Sequence, residues 1–386
     1  MELIGYIIQL IIGYNLVLPF LLYLFYVLFK NKKRDKALMS IQEQEPDYAI
    51  IVTAYQEISH VPQTVQSIQA LKYRDFLCYV VLDNCDDISS LQFDDERIIL
   101  LKPEKILAGN VRSHFYAIRN FRRAHTHVTI IDSDNIVAPM YLTELNKCFS
   151  QGFRAVQGIR EASNLNTPYA ALDAARDIYY HFYDGLMLFK LGSSATLAGS
   201  GMAFEMELYN DCLANKDVSG AGFDKVLQYE IVKRNVRIAY TDTAVVYDQK
   251  TSKPDQLVNQ RARWINTWFK YFGYGFNLLA KGIRSFSINQ FLFGLILLRP
   301  PLFMFLLLSV MCLLLNIVID PFVAVLWAGG LVVFVSGFAI ALHAYKADPR
   351  IIKALVNIPR FIFYQLISLF HSRKANQRSV ATKHFD

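Results

Sequence analysis

Two carboxylates one residue apart, Asp132 and Asp134, directly follow an apolar run at residues 128–131. The run predicts a buried strand, and the polar residues after it predict the turn that ends the strand. Ligands of open α/β sheets bind at the carboxyl ends of the strands. Two carboxylates there suit a hard divalent cation, which could in turn hold a diphosphate. A strand that ends in an Asx turn has the same pattern, so the pair alone leaves both interpretations open.

Two other predicted strands also end in polar residues, at Thr53 and Asp83. Residues 48–53 and 78–82 are apolar or β-branched runs, and a helical pattern follows the first of them. Strands that alternate with helices predict a parallel sheet, in which the carboxyl ends of the strands meet at one edge. Thr53, Asp83 and Asp132 should therefore line one cleft of nucleotide size.

The predicted α/β domain continues with helices and short turns. Glycines at residues 199–201 allow a close backbone approach to a ligand, or simply a turn. Asp224 opens a helical pattern, where it could serve as a helix N-cap or as a reacting carboxylate. The further predicted elements are a strand at 97–101, helices at 61–71, 112–123, 168–190 and 223–233, a strand at 236–247, and an amphipathic helix on the membrane face at about 260–279.

The composition indicates membrane segments beside this domain. Hydrophobic residues make up 53% of the chain, which is more than soluble domains usually contain. The net charge of +7 comes from basic residues next to apolar segments. This arrangement favours an anionic membrane face over nucleic acid, for which no binding signature is present. The five cysteines show no metal-binding spacing and fit a reducing compartment.

Three apolar segments, at residues 4–29, 302–319 and 322–345, are long enough to cross a bilayer. Basic residues at 30–34 and 373–383 should be cytoplasmic, which places Met1 outside and the α/β domain inside. Residues 354–370 predict a second interfacial helix, with a further span as the alternative. The predicted regions are an N-terminal span and basic flank (1–34), the α/β domain (35–258), an interfacial helix region (259–287) and a C-terminal membrane region (288–386).

Six short motifs occur in an order that resembles one family. The motifs are Thr-Ala-Tyr-Gln-Glu at 53–57, Asp-Asn-Cys-Asp-Asp at 83–87, Asp-Ser-Asp at 132–134, Gly-Ser-Gly at 199–201, Phe-Asp at 223–224 and Gln-Arg-Ala-Arg-Trp at 260–264. This set resembles membrane-bound family 2 glycosyltransferases, which include cellulose, hyaluronan, chitin and poly-N-acetylglucosamine synthases and ceramide glucosyltransferase. The resemblance covers roughly residues 45–280. It implies a GT-A fold with a mixed sheet, inverting chemistry, a nucleotide-sugar donor that is usually a uridine diphosphate sugar, and Mg or Mn.

The resemblance also implies a role for individual residues. Asp224 would be the general base that takes the proton of the attacking acceptor hydroxyl. Asp134 would coordinate the metal together with Asp132, which would also contact the nucleotide-sugar. The other implied donor contacts are Thr53, Glu57, Asp83, Gln260 and Arg263, and the implied acceptor contacts are Gly199, Ser200, Gly201 and Trp264.

The chain departs from the family pattern at three points. Gly222 and Phe223 replace the Thr-Glu that usually precedes the base. The family's lysine between the second and third motifs is not evident, so Arg112 is the predicted substitute, with Lys105 as the competitor. Fewer spans are present than in the large polymer-secreting synthases, which puts a secretion channel of its own in doubt.

Some residues near the motifs have simpler interpretations. Arg261 is predicted to be solvated or lipid-facing rather than a ligand. Aromatic residues in an amphipathic helix more often form an interfacial belt than a sugar-binding platform. We therefore expect the belt role for Trp268, Tyr271, Phe272 and Tyr274. Histidines without a metal pattern, including His181, are predicted to be structural.

The leading hypothesis is a membrane-bound glycosyltransferase at the cytoplasmic face of the cell membrane. Its acceptor would be a growing glycan or a membrane lipid, and an oligomer or partner subunits are compatible with it. The competing hypothesis is a catalytically inactive scaffold or regulatory subunit, against which the intact Asp83, Asp132 and Asp224 argue.

Overall fold

The computed structural model describes residues 2–29, 45–218 and 220–375. The predicted basic segment at 30–34, the linker up to residue 44 and the basic tail beyond residue 375 lie outside the described residues.

An eight-stranded mixed sheet forms the centre of the α/β domain, with the spatial order β3-β2-β1-β4-β7-β6-β8-β5. β1 to β4 pair in parallel, as predicted. β7 is antiparallel to both β4 and β6, and β5 is antiparallel to β8, so the sheet is mixed, as the family resemblance implies. The strands are β1 Tyr48–Tyr55, β2 Phe76–Asp83, β3 Ile98–Leu101, β4 His127–Asp132, β5 Ile136–Val137, β6 Ala155–Ala162, β7 Met202–Glu205 and β8 Ile238–Asp248.

The parallel strands are buried on both faces, which explains their continuous apolar runs. Alternate residues of β1 point to opposite cores, with Ile51 in one and Ile50 in the other. The same alternation divides β4 between Ile130 and Ile131. Helices cover both faces of the sheet and leave its carboxyl edge for polar side chains.

The helices of the α/β domain follow the predicted order with shifted ends. The predicted helix at 168–190 is confirmed, but its middle, His181–Met187, is π-helical. The predicted helix at 112–123 begins two residues earlier and ends at Arg119. In the first two thirds of the chain the helices are α1 Glu2–Phe29, α2 Val61–Gln69, α3 Asn110–Arg119, α4 Tyr141–Phe149, α5 Pro168–Tyr180, α6 Leu188–Lys190, α7 Met206–Leu213 and α8 Phe223–Lys233.

The last third of the described chain is helical. The predicted amphipathic helix starts earlier, at Pro254, so the predicted boundary between residues 258 and 259 falls inside it. The helices are α9 Pro254–Tyr271, α10 Tyr274–Arg284, α11 Ile288–Leu298, α12 Leu302–Ile319, α13 Pro321–Ala344, α14 Pro349–Ala354 and α15 Ile358–His371.

Four helical segments in the described part of the chain are long and apolar enough to cross a membrane. They are Leu3–Phe29, Leu302–Ile319, Pro321–Ala344 and Pro349–His371. The first three pack against one another, and the Gln9 side-chain oxygen joins them by accepting hydrogen bonds from Asn316 (2.7 Å) and Trp327 (2.8 Å). The fourth, predicted to be interfacial, packs instead against α5 and α9 of the α/β domain.

Candidate active site

A cavity of about 530 Å³ lies between the carboxyl edge of the sheet and helices α5, α8, α9 and α11. Seven of the predicted site residues line it: Asp132, Asp134, Gly199, Asp224, Gln260, Arg263 and Trp264. Among the described residues, the lining does not include Thr53, Glu57, Asp83, Arg112, Ser200 or Gly201.

The register of the parallel strands explains why the predicted residues meet at one edge. Thr53 of β1 lies opposite Asp132 of β4, and Tyr55 of β1 lies opposite Asp83 of β2. The three strand ends therefore align at one edge, as predicted, although of these residues only Asp132 lines the cavity.

Asp83 holds the loop that leads to α3. Its buried carboxylate accepts hydrogen bonds from the backbone N–H groups of Leu107 (2.9 Å) and Ala108 (2.8 Å). Ala108 has a φ of +47°, a left-handed conformation that such bonds help to maintain. The loop in turn places Asn110 in the cavity wall.

Glu57 and Arg112 bond to protein groups outside the cavity wall. The backbone N–H of Ser59 donates to the Glu57 carboxylate (2.9 Å), and this hydrogen bonding lowers the pKa of Glu57. Arg112 pairs with Asp217 (2.9 Å) and donates to the carbonyl of Leu107 (3.1 Å). Its competitor Lys105 is exposed.

Asp132 and Asp134 bring two carboxyl groups to the cavity wall. Burial and the neighbouring Asp134 raise the pKa of Asp132 to about 7. The Asp134 carboxylate accepts a hydrogen bond from the Asn135 amide (2.9 Å). Within the described ranges there is no group of three or more Asp, Glu, His or Cys residues that could hold a metal ion. The two carboxylates fit a hard divalent cation that takes its remaining oxygen ligands from a substrate or water.

The Gly-Ser-Gly loop supports β4 more than it faces the cavity. The hydroxyl of fully buried Ser200 accepts a hydrogen bond from the backbone N–H of Asp132 (3.0 Å). Gly201 has a φ of +69°, and a Cβ added there would approach the Val246 side chain to 3.0 Å, so both the backbone conformation and the packing favour glycine. Of the three loop residues, Gly199 reaches the cavity.

Asp224 lies in the first turn of α8 and faces the cavity with a side chain that is 15% exposed. Its carboxylate pairs with Lys225 (2.9 Å), which also donates to the carbonyl of Leu197 (2.9 Å). The alternative interpretation of Asp224 as the N-cap is wrong, because Gly222 occupies that position with a φ of +104°.

The start of α8 explains why the chain lacks the family's Thr-Glu before Asp224. A Cβ on Gly222 would approach Thr267 of α9 to 2.6 Å and Tyr271 to 2.7 Å. Phe223 is buried against His114, with the ring centroids 5.0 Å apart. Close packing of α8 on α9 thus takes the space that larger or polar side chains would need.

Helix α9 presents Gln260, Arg263 and Trp264 to the cavity. Their spacing of three and four residues puts them on one helical face. Burial lowers the pKa of Arg263, which reflects a guanidinium with little surrounding water. The predicted exposure of Arg261 is wrong, because this residue is 3% exposed and pairs with Asp173 of α5.

Trp264 lies against two guanidinium groups. The Cζ atoms of Arg176 and Arg261 are 4.3 Å and 4.2 Å from its ring centroid. Both guanidiniums contact the same oxygen of Asp173, Arg176 at 3.1 Å. Asp173 therefore fixes the two cations that orient the indole ring.

Sequence reasoning missed a chain of buried ion pairs in the cavity wall. Lys250 contacts Asp177 and Asp248, both at 2.5 Å. Asp177 also pairs with Arg176, and Asp248 also pairs with Arg160 of β6. Burial favours the neutral acid, yet the charges of Arg176 and Lys250 lower the pKa of Asp177. Arg160 could have been recognised as a charged residue inside a strand pattern, but β6 was not predicted from the sequence.

The aromatic residues of α9 and α10 also line the cavity, rather than forming only an interfacial belt. Trp268, Tyr271, Phe272 and Tyr274 are all in the wall. His181 of the π-helical segment lies there too, although it was predicted to be structural. Burial lowers the pKa of His181 to about 4, so the ring is neutral near pH 7.

Comparison with known proteins identifies one family model and several similar folds. The family model described as "Glycosyltransferase like family 2" matches residues 46–267. No curated protein matches the chain. The mannosyltransferase PcManGT from Pyrobaculum calidifontis, solved with GDP-Man and Mn2+, is 15% identical and has a TM-score of 0.53, with 94% of this chain and 97% of that chain covered. S. aureus TarS 1–349 with UDP-GlcNAc is 12% identical, with 86% and 90% covered and a TM-score of 0.45.

These identities are low enough that the likeness shows the fold alone. The mixed sheet, the family match and the similarity to PcManGT confirm the predicted GT-A fold with apolar helices at both ends of the described chain.

Proposed function

Because the chain belongs to the glycosyltransferase-like family 2, whose model matches residues 46–267, we propose that it is a membrane-bound, inverting sugar transferase. It transfers a sugar from a nucleotide-sugar to a glycan or a lipid-linked acceptor at the cytoplasmic face of the membrane. The observation that carries this proposal is the convergence of Asp132, Asp134 and Asp224 on one cavity beside Arg263.

The donor's diphosphate binds at the Asp132–Asp134 end of the cavity. These carboxylates would hold Mg or Mn, which supplies positive charge to the phosphates when bound. PcManGT was solved with a nucleotide-sugar and Mn2+, which supports the same class of donor for this chain. Arg263 adds a guanidinium that can pair with phosphate oxygens in a largely desolvated wall. The donor most often used by the family, a uridine diphosphate sugar, is the first candidate.

Asp224 acts as the general base. The acceptor hydroxyl attacks the anomeric carbon as its proton passes to the Asp224 carboxylate, and the bond from that carbon to the nucleoside diphosphate breaks in the same step. One direct displacement inverts the anomeric configuration. Lys225, which pairs with the Asp224 carboxylate at 2.9 Å, holds it in place until the acceptor arrives. General-base catalysis of this kind supplies about 100- to 10,000-fold.

The acceptor lies against the wall of α9. Trp264, held by Arg176 and Arg261, offers an oriented aromatic face to a sugar ring. Gly199 leaves room for the acceptor beside it. The cavity wall is supported by residues that do not line it themselves: Thr53, Asp83, Ser200 and Gly201. An inactive scaffold would not need this set of cavity-facing carboxylates.

Incubation of the purified chain in lipid with a panel of nucleotide-sugars tests the proposal. Release of nucleoside diphosphate should occur with one donor, increase with acceptor, and stop with a metal chelator. The absence of release with every donor, in the presence of both Mg and Mn and of a membrane lipid extract as acceptor, would favour the scaffold alternative.

A further inference from the structure

The cavity wall also includes the junction between α11 and α12. Four apolar side chains, Ile296, Leu297, Leu302 and Phe303, line it there, and we call them the apolar end. Leu302 is also the first residue of a helix that is apolar and long enough to cross a membrane. The candidate active site and the start of a candidate span therefore share one wall.

The apolar end does not suit a glycan chain. Sugar hydroxyls that lose water need hydrogen-bond partners, and an unpaired one is costly to bury. The four side chains of the apolar end provide none. Each methylene of an alkyl chain placed there would instead improve binding about threefold to fourfold, because apolar surface leaves water.

A polar pair, Arg299 and Asp184, lines the same cavity, and Arg299 lies between the two halves of the apolar end in the sequence. Arg299 and Asp184 are 6% and 4% exposed, and they form an ion pair through one atom of each group. Among the described residues, Arg299 Nη1 and Asp184 Oδ1 have no hydrogen-bond partner. A buried donor beside a buried acceptor matches a hydroxyl, which can accept from the guanidinium and donate to the carboxylate.

Resting on the proposed function, we infer that the acceptor is a membrane lipid with a hydroxyl-bearing headgroup. Its alkyl chain lies along the apolar end and continues into the bilayer beside the first turn of α12. A headgroup hydroxyl bonds to Arg299 and Asp184, and the rest of the headgroup extends towards Trp264 and Asp224. The sugar is transferred to the headgroup while the chain remains in the membrane.

Photolabelling tests this placement directly. The probe is dodecyl β-glucoside with a diazirine at the end of its alkyl chain, added to the full chain in phosphatidylcholine nanodiscs. Labelling within residues 296–303 should be saturable and should be competed by unmodified dodecyl glucoside. Labelling at Leu314, which is 59% exposed on α12 and absent from the cavity wall, should not saturate. Labelling at 296–303 that is absent or fails to saturate would overturn the inference.

A pair of matched substitutions checks that the saturable label reports the cavity. Leu302→Trp fills the apolar end and should reduce saturable labelling at Ile296 and Leu297 about tenfold, since overpacking excludes the chain. Leu314→Trp adds the same side chain to the lipid-facing surface of α12 and should leave the saturable labelling at Ile296 and Leu297 unchanged. Thermal unfolding of both variants shows whether the fold is intact. Equal labelling in the two folded variants would contradict the proposed route.

Nucleotide binding separates this inference from the proposed function. Wild-type protein and Leu302→Trp should bind a nucleoside diphosphate with Mn2+ equally well, because the nucleotide contacts proposed at Asp132, Asp134 and Arg263 do not include Leu302. If nucleotide binds but no saturable labelling occurs, the lipid inference fails alone. If nucleotide does not bind under any condition, the proposed function fails as well.

Discussion

Asp224 and Asp255 occupy equivalent positions, each being the second residue of its helix, α8 and α9. Only Asp224 lines the cavity, whereas Asp255 is exposed. Asp224→Asn keeps the size and hydrogen bonding of the side chain but removes its capacity to accept a proton. We expect transfer to fall by about 100-fold or more while nucleotide affinity is kept. Transfer rate and nucleotide affinity are to be measured on the same purified variant.

Asp255→Asn is the matched control for the loss of a negative charge at a helix N-terminus. It should leave transfer and nucleotide affinity unchanged. Near-normal transfer in Asp224→Asn would remove this residue from the mechanism.

Single residues were predictable where their role depends on local sequence. Asp132 and Asp134 follow an apolar strand, so the sheet edge could be inferred from neighbouring residues alone. The exposure of Arg261 was misjudged because its partner Asp173 lies 88 residues away in the sequence, and the pairing of Arg112 with Asp217, 105 residues away, was not predicted either. Ion pairs over such distances depend on how the helices pack, which no local pattern contains.

At the scale of elements, the charged face of α5 attaches it to α9. Asp173 is 2% exposed and contacts two guanidiniums, those of Arg176 and Arg261. Asp173→Asn would leave both cations buried without their shared counter-charge. We expect a loss of about 3–5 kcal/mol in the free energy of unfolding and weaker acceptor binding, because Trp264 loses its orientation. Denaturant unfolding and the acceptor KM report the two effects.

Asp348→Asn serves as the control because it breaks an exposed pair with Arg350 at the start of α14. Exposed pairs contribute little to stability, so this variant should unfold like the wild type. Equal stability of Asp173→Asn and Asp348→Asn would contradict the role assigned to the α5 charges.

The elements that the sequence failed to predict have weak local signals. β6 contains polar residues among its buried ones, and β7 is only four residues long, so neither resembles an ordinary strand. The π-helical segment at His181–Met187 extends a normal helical pattern, and its geometry depends on tertiary contacts. A Cβ on Gly185 in this segment would approach the ring of Tyr240 to 2.7 Å, which shows how closely β8 packs there.

At the scale of the whole molecule, the number of spans decides on which side the chain ends lie. α1, α12 and α13 pack together, while α15 packs against α9 and α5. We therefore predict three spans, with α15 on the membrane surface and the two chain ends on opposite sides. The thiol of Leu3→Cys should react with an impermeant maleimide added outside. The thiol of Ala375→Cys should react only after the membrane has been permeabilised.

By hydropathy alone, the fourth candidate segment, Pro349–His371, could also cross the membrane. Its mean hydropathy, 1.3, is the lowest of the four segments. Four spans would put both engineered thiols on the same side of the membrane, so labelling of both from one side would refute the three-span arrangement. The four native cysteines of the α/β domain are buried and should contribute little background.

The proposed sugar transfer depends most directly on a nucleotide that binds through a metal at Asp132 and Asp134. A ligand that binds only the folded chain raises its stability, by about 2.7 kcal/mol at a hundred times its Kd. The decisive measurement is the thermal unfolding of the full chain with UDP or GDP and Mn2+. We expect Tm to rise with one of these nucleotides, and the rise to disappear with chelator and in Asp134→Asn. An unchanged Tm with both nucleotides, or a rise that survives the chelator, would contradict the central claim.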